Sequence, residues 1–518
     1  MAKNRRIKVC FIAEGCYPYE IGGVSSWIHS IINTFPDIDF SLIAIIASRE
    51  TSGKFKYKIP DNLVSIYEVY LNDYEYASEN AKKSERKFKL SKDEISALHS
   101  LVSGDDVDWE CIFNLFAKKK PSVDKLLMGK DFLDVIIEFY KSNYHSLPFT
   151  DFLWTMRSIY LTLFLSMRVP MVDADIYHCV ATGYAGIIGP MQKVLHPGSK
   201  LLISEHGIYT REREEEIIRA KWVKGIFKDI WINQFRKMSL CAYNYAELVT
   251  SLFEHARQLQ IELGCPKEKT VVTPNGVKTE NFIDIPGKDP SDDYFNIGAI
   301  LRVTPIKDVK TMITAFHYAH QTNPHIKLWI MGPSDEDPEY FKECQELVSS
   351  LNASDIIFTG VIKTVDYIGK MDALILTSIS EGQPLTILEG FAASKPSIAT
   401  NVGNCSGLIY GESDNFGSAG IVVPVMSIPD IVKAILTLSE NEKLCKQMGE
   451  IGKKRVFSKY KIQDMKNTYE KIYNELSSGC VTPSKDNQTA LEENDVEIAD
   501  VAGEMQSSFD ILKDQLLK

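Results

Sequence analysis

At 518 residues the chain is longer than a single hydrophobic core supports, so two domains with appendages are expected. Its hydrophobic content of 44% is ordinary for a globular protein, and a net charge of −11 argues against a nucleic-acid partner, because a phosphate backbone needs a basic face and none stands out, while local basic patches stay compatible with that charge. The cysteines, from Cys10 to Cys480, form no Cys-x-x-Cys pair and keep no regular spacing, which fits reduced thiols of a cytoplasmic protein.

The first residues run directly into an apolar segment, without the apolar core and small-residue cleavage site of a signal peptide. Residues 8–13 read as a strand, and Gly22 and Gly23 then open a helix. A strand, a Gly-rich loop and a helix begin a Rossmann-like unit, while the lack of Gly-x-Gly-x-x-Gly sets aside a dinucleotide site. The glycine pair would let backbone approach a diphosphate or an acceptor at a helix N-terminus; a plain tight turn is the other reading. Residues 40–46 read as the second strand. From about 71 to 150 the pattern is charged and helix-favouring, which suggests a helical insertion on the first domain with a surface for partners or acceptor. The apolar run 153–172 is interrupted by Arg157 and Arg168 and is expected to be a buried helix, not a membrane span.

Strand-like runs return at 175–180 and 201–204, with a helix start at Thr182-Gly183 between them. The second run ends in Glu205-His206-Gly207-Ile208-Tyr209-Thr210-Arg211-Glu212-Arg213. Ligands collect at the carboxyl ends of strands in parallel α/β sheets, so His206 is a candidate catalytic residue, against the bland reading of a structural histidine. Runs at 248–251 and 271–277 complete a first domain taken as 1–285, and residues 284–293, with Pro286, Gly287 and Pro290, read as a linker.

A second α/β series follows over 294–455, with strands at 296–299, 326–331, 356–358, 373–376, 397–400 and 420–423. Arg302 and Lys307 share one loop at a strand's carboxyl end, where two cations could neutralise a pyrophosphate. Val361 and Ile362, after Gly360, could present backbone groups to a base. The run 373–376 leads into Thr377-Ser378-Ile379-Ser380-Glu381-Gly382-Gln383-Pro384-Leu385, a strand-to-helix turn. Pro384 suits the first helical position, and the helix is expected to reach about Ser394. Its unpaired N–H groups and positive dipole end could hold a phosphate or a sugar hydroxyl. Glu381 stands beside that end and Glu389 lies inside; the spacing alone also suits a dipole-stabilising Glu plus a solvated one.

Helices continue over 428–477, the part from 456 to 477 expected to cross back to the first domain. Residues 478–518 read as a flexible polar linker followed by an amphipathic helix carried by Ile498, Val501, Met505, Phe509, Leu512 and Leu516. Asp-x-Asp pairs at Asp37/Asp39, Asp106/Asp108, Asp173/Asp175 and Asp335/Asp337 have no supporting His or carboxylate cluster, so no metal or other cofactor is expected.

The stretch from Glu381 to Glu389 resembles the Glu-x7-Glu signature of retaining glycosyltransferase family 4, and residues 7–477 resemble that family's GT-B fold, α/β with two Rossmann-like domains facing each other across a cleft. Tyr17-Pro18, Gly22-Gly23-Val24-Ser25-Ser26-Trp27, the string from Glu205 to Arg213, Pro305-Ile306-Lys307-Asp308-Val309 and Gly332-Pro333-Ser334-Asp335-Glu336-Asp337 are more specific. They resemble the cytosolic transferases of Pel-type exopolysaccharide synthesis. The resemblance implies a hexosyltransferase that uses a UDP-sugar donor and a glycan acceptor with retention, working in the cytoplasm beside membrane-bound polysaccharide synthesis proteins. It implies that Arg302 and Lys307 grip the donor diphosphate, that Glu389 holds the ribose, and that Glu381 with the backbone near Gly382, Gln383, Pro384 and Leu385 holds the sugar. His206 would approach from the opposite domain. A catalytically silent scaffold that binds nucleotide-sugar or polymer, or a family 4 enzyme making another glycan, are the competing readings; intact Arg302, Lys307, Glu381, Glu389 and His206 weigh against the silent one.

Overall fold

The computed structural model describes residues 5–71, 89–104, 106–412 and 414–479. The expected linker and amphipathic helix of the tail, from residue 480 on, and residues 72–88 of the expected insertion lie outside the described residues.

Seven parallel strands form the first sheet: β1 (Lys8–Glu14), β2 (Asp39–Ile46), β3 (Leu63–Tyr70), β4 (Ile176–Cys179), β5 (Lys200–Ser204), β6 (Leu248–Ser251) and β7 (Thr270–Val272), in the order β3-β2-β1-β4-β5-β6-β7. Six more form the second: β8 (Phe295–Ile300), β9 (Ile326–Met331), β10 (Ile356–Gly360), β11 (Ala373–Leu376), β12 (Ser397–Thr400) and β13 (Gly420–Val423), in the order β10-β9-β8-β11-β12-β13. Helices cover both faces of such sheets, so central strands are apolar without alternation; in β4, β11 and β12 every residue is buried. Strand order reverses between β1 and β4 and between β8 and β11, and at those switch points the loops part to leave a crevice at the carboxyl ends. Strand β3 escapes the sequence reading because it is an edge strand with few fully buried positions.

The insertion runs past residue 150. Helices Lys92–Ser103, Lys130–Phe139 and Phe149–Ser166 share one apolar core, in which Leu98, Phe113, Phe152 and Phe164 meet Trp231 and Phe235 of helix Phe227–Tyr245. The last of these helices comes from the run 153–172; its burial explains the apolar sequence. Among the described residues no helix is long and apolar enough to cross a membrane.

The chain changes domain earlier than residue 285, and the residues read as a linker are not the crossing. Val277 and Phe282 pack in the second domain's core with Phe391 and Tyr460. Residues 284–293 are fastened to that domain, Lys288 to Asp372 at 2.8 Å and Asn296 Nδ2 donating to Asp292 at 2.6 Å. The outgoing and returning crossings lie side by side: the Val277 N–H donates to the Tyr460 carbonyl, and the Ile462 N–H to that of Val277, each at 2.9 Å. They are so close that a Cβ on Gly276 would stand 2.6 Å from the Ile462 Cα. The second domain likewise continues beyond 455, since helix Glu442–Lys459 is uninterrupted there. Its Arg455, fully buried, holds Asp414 through Nε and Nη2 at 2.9 Å each and caps the carbonyls of Leu408, Ile409 and Gly417.

Helix Ile462–Ser478 then lies on the first sheet, where Met465, Ile472 and Leu476 join the core of Phe11 and Phe40. Two of its tyrosines enter a buried polar network. The Tyr473 hydroxyl lies 2.9 Å from His178 Nδ1, and that of Tyr469 lies 3.0 Å from Ser204 Oγ, itself 2.8 Å from His178 Nε2.

Candidate functional site

Two loops at the carboxyl ends of the second sheet are stitched into one surface. Asp308 adopts a left-handed conformation (φ 47°), turning the loop after β8 into helix Val309–Thr322. The loop after β11 lies against it: the Ile379 N–H donates to the Ile306 carbonyl at 2.8 Å, and Thr377 Oγ1 donates to the carbonyls of Lys307 and Asp308 at 3.0 and 3.1 Å. This fixes Lys307 against Glu381, whose Oε1 takes an ion pair from Nζ and a 2.6 Å hydrogen bond from Ser378 Oγ. Their side chains are only 17% and 12% exposed, so the pair is shielded from water. Arg302 is held differently. It pairs with Glu336 at the mouth of the crevice, where both side chains are about half exposed.

Helix Leu385–Ala392 starts one residue later than its proline suggests, with Pro384 in extended conformation as the cap. It also stops sooner than expected, because Ser394 turns left-handed (φ 58°) and the Lys395 N–H donates back to the Gly390 carbonyl at 2.8 Å. Among the described residues nothing accepts a hydrogen bond from the N–H of Gly382, Gln383 or Leu385. Three unpaired donors at a helix start have the chemistry to hold an anion or a hydroxyl. The Gln383 side chain faces the other domain: its Oε1 accepts from the Asn275 N–H at 2.7 Å and its Nε2 donates to the Leu252 carbonyl at 3.4 Å. Glu389 has no ion pair among the described residues, and desolvation pushes its carboxyl up to about 7. Val361, 78% exposed, and Ile362, half-buried, follow β10 beside this surface, since the Gly332 N–H donates to the Gly360 carbonyl and Val303 to that of Pro333.

His206 stands opposite, just past β5. Its carbonyl touches Gly382, where an added Cβ would lie 2.4 Å from the oxygen. Its ring packs edge-on against Trp27 of helix Gly23–Thr34, with centroids 4.5 Å apart, and its Nε2 is buried without a partner. Burial pulls the imidazole down to about 4, so it is neutral at neutral pH and can give or take one hydrogen bond there. Gly22 and Gly23 open the helix that carries Trp27, and a Cβ at either would meet open space. Packing within the chain therefore does not demand glycine at those positions.

The sequence reading passed over several polar groups at this edge. Glu205 is buried and accepts from Thr182, Tyr243 and Gln260 at 2.8 to 2.9 Å; burial pushes its carboxyl up against those hydrogen bonds. Glu14, at the end of β1, accepts from Tyr209 at 3.1 Å and from the Ala185 N–H at 3.3 Å, and burial raises it also. The signal for both was a carboxylate closing an apolar strand. Gly403 and Asn404 buttress the Glu381–Gly382 turn: Gly403 is left-handed (φ 51°), a Cβ there would stand 2.2 Å from the Glu381 carbonyl, and the Asn404 N–H donates to the Gly382 carbonyl at 2.8 Å.

Among the described residues no group of three or more His, Cys, Asp or Glu could hold a metal ion. Members of the Asp-x-Asp pairs have structural duties: Asp39 pairs with Arg6, Asp173 with Lys8 and Asp175 with Arg5, while Asp108 and Asp337 cap helices.

Residues 7–268 match the model of a family described as a domain of unknown function (DUF3492), and residues 282–455 match the family described as glycosyl transferases group 1. An uncharacterized glycosyltransferase of Methanocaldococcus jannaschii is 32% identical over 145 residues, covering 27% of this chain and 39% of its own length. The capsular polysaccharide biosynthesis glycosyltransferase CapM of Staphylococcus aureus is 24% identical over 270 residues, covering 50% of this chain and 68% of its own. The crystal structure of Anabaena HepE in complex with UDP and glucose superposes with a TM-score of 0.57 at 13% identity, over 90% of this chain and 100% of that one. Such likeness establishes the architecture, that of GT-B glycosyltransferases.

Proposed function

We propose that this chain, which belongs to the DUF3492 family over residues 7–268 and matches the group 1 glycosyl transferases over residues 282–455, transfers a hexosyl unit from a UDP-sugar to a glycan acceptor with retention. The observation that carries this reading is the shielded Lys307–Glu381–Ser378 cluster beside the unpaired N–H groups of Gly382, Gln383 and Leu385, facing His206 across the crevice. The bond from the anomeric carbon to the diphosphate oxygen breaks, the acceptor oxygen bonds to that carbon on the same face, and the acceptor's proton leaves with the departing UDP. Charge develops on the diphosphate and on an oxocarbenium-like sugar. Lys307, with Arg302 at the mouth, and the helix N-terminus stabilise the first, while Glu381 lies where the second would form. Glu389 takes the ribose hydroxyls, Val361 and Ile362 border the base, and the neutral imidazole of His206 meets the sugar or the acceptor. Since fixed cations and N–H groups supply the leaving-group stabilisation, the reading needs no metal.

UDP and glucose bound to HepE support the choice of donor, and the naming of CapM for capsular polysaccharide supports a polymer product. The longer motif strings resemble those of PelF, the cytosolic transferase of the Pel system. They support a Pel-type exopolysaccharide assembled at the cytoplasmic side with membrane-bound synthesis proteins. Incubation with a panel of UDP-hexoses and UDP-N-acetylhexosamines plus acceptor glycans tests the reading. Release of UDP with an axial-to-axial glycosidic product, read by NMR, is expected; UDP binding without turnover of any donor would overturn it in favour of a scaffold.

A further inference from the structure

The loop between helices Tyr209–Arg219 and Phe227–Tyr245 presents to water apolar side chains that alternate in sequence with cations. Val223 is buried in the core beneath the insertion and Phe227 is half-buried beside it, so the loop is seated firmly. Gly225 is left-handed (φ 54°), and the N–H groups of Phe227, Lys228 and Asp229 close the turn onto the carbonyls of Lys224, Gly225 and Ile226. Lys228 Nζ donates to the Ile218 carbonyl and ties the two ends of the loop together. With Val223 turned in, Ile218, Trp222 and Ile226 are left 56%, 69% and 43% exposed, the Trp222 ring supported edge-on by Trp231 at 5.7 Å.

Arg219, Lys221, Lys224 and Lys228 are interspersed with them, and residues 218–228 hold no acidic side chain, in a chain of net charge −11. The acidic groups behind the loop are engaged: Glu214 with Arg236, Glu215 with Arg219 and Glu216 with Arg213. Asp229 follows directly. Lys221 and Lys224 are exposed and have no ion pair among the described residues.

We propose that this loop is a docking surface for an anionic phospholipid bilayer, on which the protein rests without spanning it. Tryptophan favours the headgroup level of a bilayer, isoleucines enter the acyl boundary, and lysines are drawn to anionic headgroups. Charge complementarity selects this occupant. The chain as a whole is acidic and is repelled by an anionic surface, so a loop that is both basic and apolar attracts and orients it. The helix that begins at Tyr209, just after His206, ends at this loop about 16 Å away along its axis, which sets the crevice close to the membrane plane.

Sedimentation of the full-length protein with phosphatidylcholine vesicles, with and without phosphatidylglycerol, tests the proposal. Binding is expected only with phosphatidylglycerol and should weaken as salt rises. Replacing Lys221 and Lys224 together by Gln should lower the partition by more than about tenfold, at about fivefold per lysine. Trp222→Ala should lower it by about tenfold or more, with melting temperature nearly unchanged. If Trp222→Ala disturbs folding through Trp231, the lysine variant alone decides. Failure of the wild-type chain to sediment, equal binding to neutral vesicles, or full binding by the lysine variant would each overturn the proposal. So would capture by an immobilised glycan that needs Trp222 and occurs without vesicle binding.

Discussion

Gly382 lies against the backbone carbonyl of His206 so closely that a single methyl group on its Cα would stand 2.4 Å from that oxygen. The turn that opens the second domain's helix is thereby pressed onto the strand end of the first, and Gln383 fastens the contact through Asn275. Residue 382 has no room for a side chain while the domains stay in this relation. Gly382→Ala is expected to push them apart, lowering kcat by at least about tenfold while UDP affinity changes less, at a stability cost of ~1–3 kcal/mol. Steady-state kinetics beside calorimetry measures both. An unchanged kcat would mean that catalysis does not use this contact.

Lys307 and Arg302 should differ. Lys307 sits in a shielded pair, so Lys307→Ala removes a poorly hydrated cation from the proposed diphosphate site and should weaken UDP binding by ~1–3 kcal/mol. Arg302 is half exposed, so water screens its charge far more than that of Lys307, and Arg302→Ala should cost less, ~0.5–1 kcal/mol. Titration calorimetry with UDP ranks them; the reverse order would assign the diphosphate to the mouth of the crevice.

The carboxylates should fail in distinct ways. Glu381→Gln is expected to lower turnover by about a hundredfold or more with UDP affinity nearly unchanged, because its charge matters most as the sugar becomes cationic. EDTA should leave the wild-type rate intact. Full activity in the Gln variant, or loss with EDTA and recovery with a divalent ion, would remove the proposed roles.

Glu389 gives a pH signature. Desolvation raises its carboxyl to about 7, so near neutrality it is only partly ionised. In the proposed role ribose hydroxyls would donate to the carboxylate and favour its deprotonated form, so affinity for an intact UDP-sugar should rise as pH increases through about 7, with proton release. Glu389→Gln should flatten that dependence. A slope that persists in the variant would place the titrating group elsewhere.

Arg455 and Asp414 form a buried brace in the second domain. Arg455→Met should destabilise by ~3–5 kcal/mol, since it leaves a carboxylate and several carbonyls unpaired. Burial by itself would raise the Asp414 carboxyl, but hydrogen bonds from Arg455 and the Phe416 N–H, with the nearby charges, hold it below its ordinary 3.8. A carboxyl depressed in the folded state contributes stability that is complete above its unfolded value and is lost as pH falls below it. Chemical denaturation of the wild type should show this loss under acid conditions below about pH 4, and the variant should lack it.

The alternation of strand and helix was written locally. Strands covered on both faces must be apolar runs, as at Ala373–Leu376 and Ile326–Met331, and Gly382 and Pro384 mark a strand-to-helix turn through their own backbone preferences. The same locality made His206, Arg302, Lys307 and Glu381 visible as candidates, each in the loop that follows the carboxyl end of a strand, while Glu389, inside helix Leu385–Ala392, stood out by its spacing from Glu381. Contacts between distant residues were not legible. Lys307 reaches Glu381 across 74 positions, Gln383 spends its side chain on Asn275 and Leu252, and Glu205 becomes a buried, triply hydrogen-bonded carboxylate only when Thr182, Tyr243 and Gln260 converge on it. The domain boundary was misplaced for the same reason. Residues 284–293 have the composition of a linker, yet the chain crosses at Gly276 and returns at Lys461, because the backbone pairing of Val277 with its neighbours in the returning strand, and the apolar contacts of Val277 and Phe282, outweigh local flexibility. Local sequence sets which groups stand at strand ends; only the packing of the two sheets decides which of them face one another.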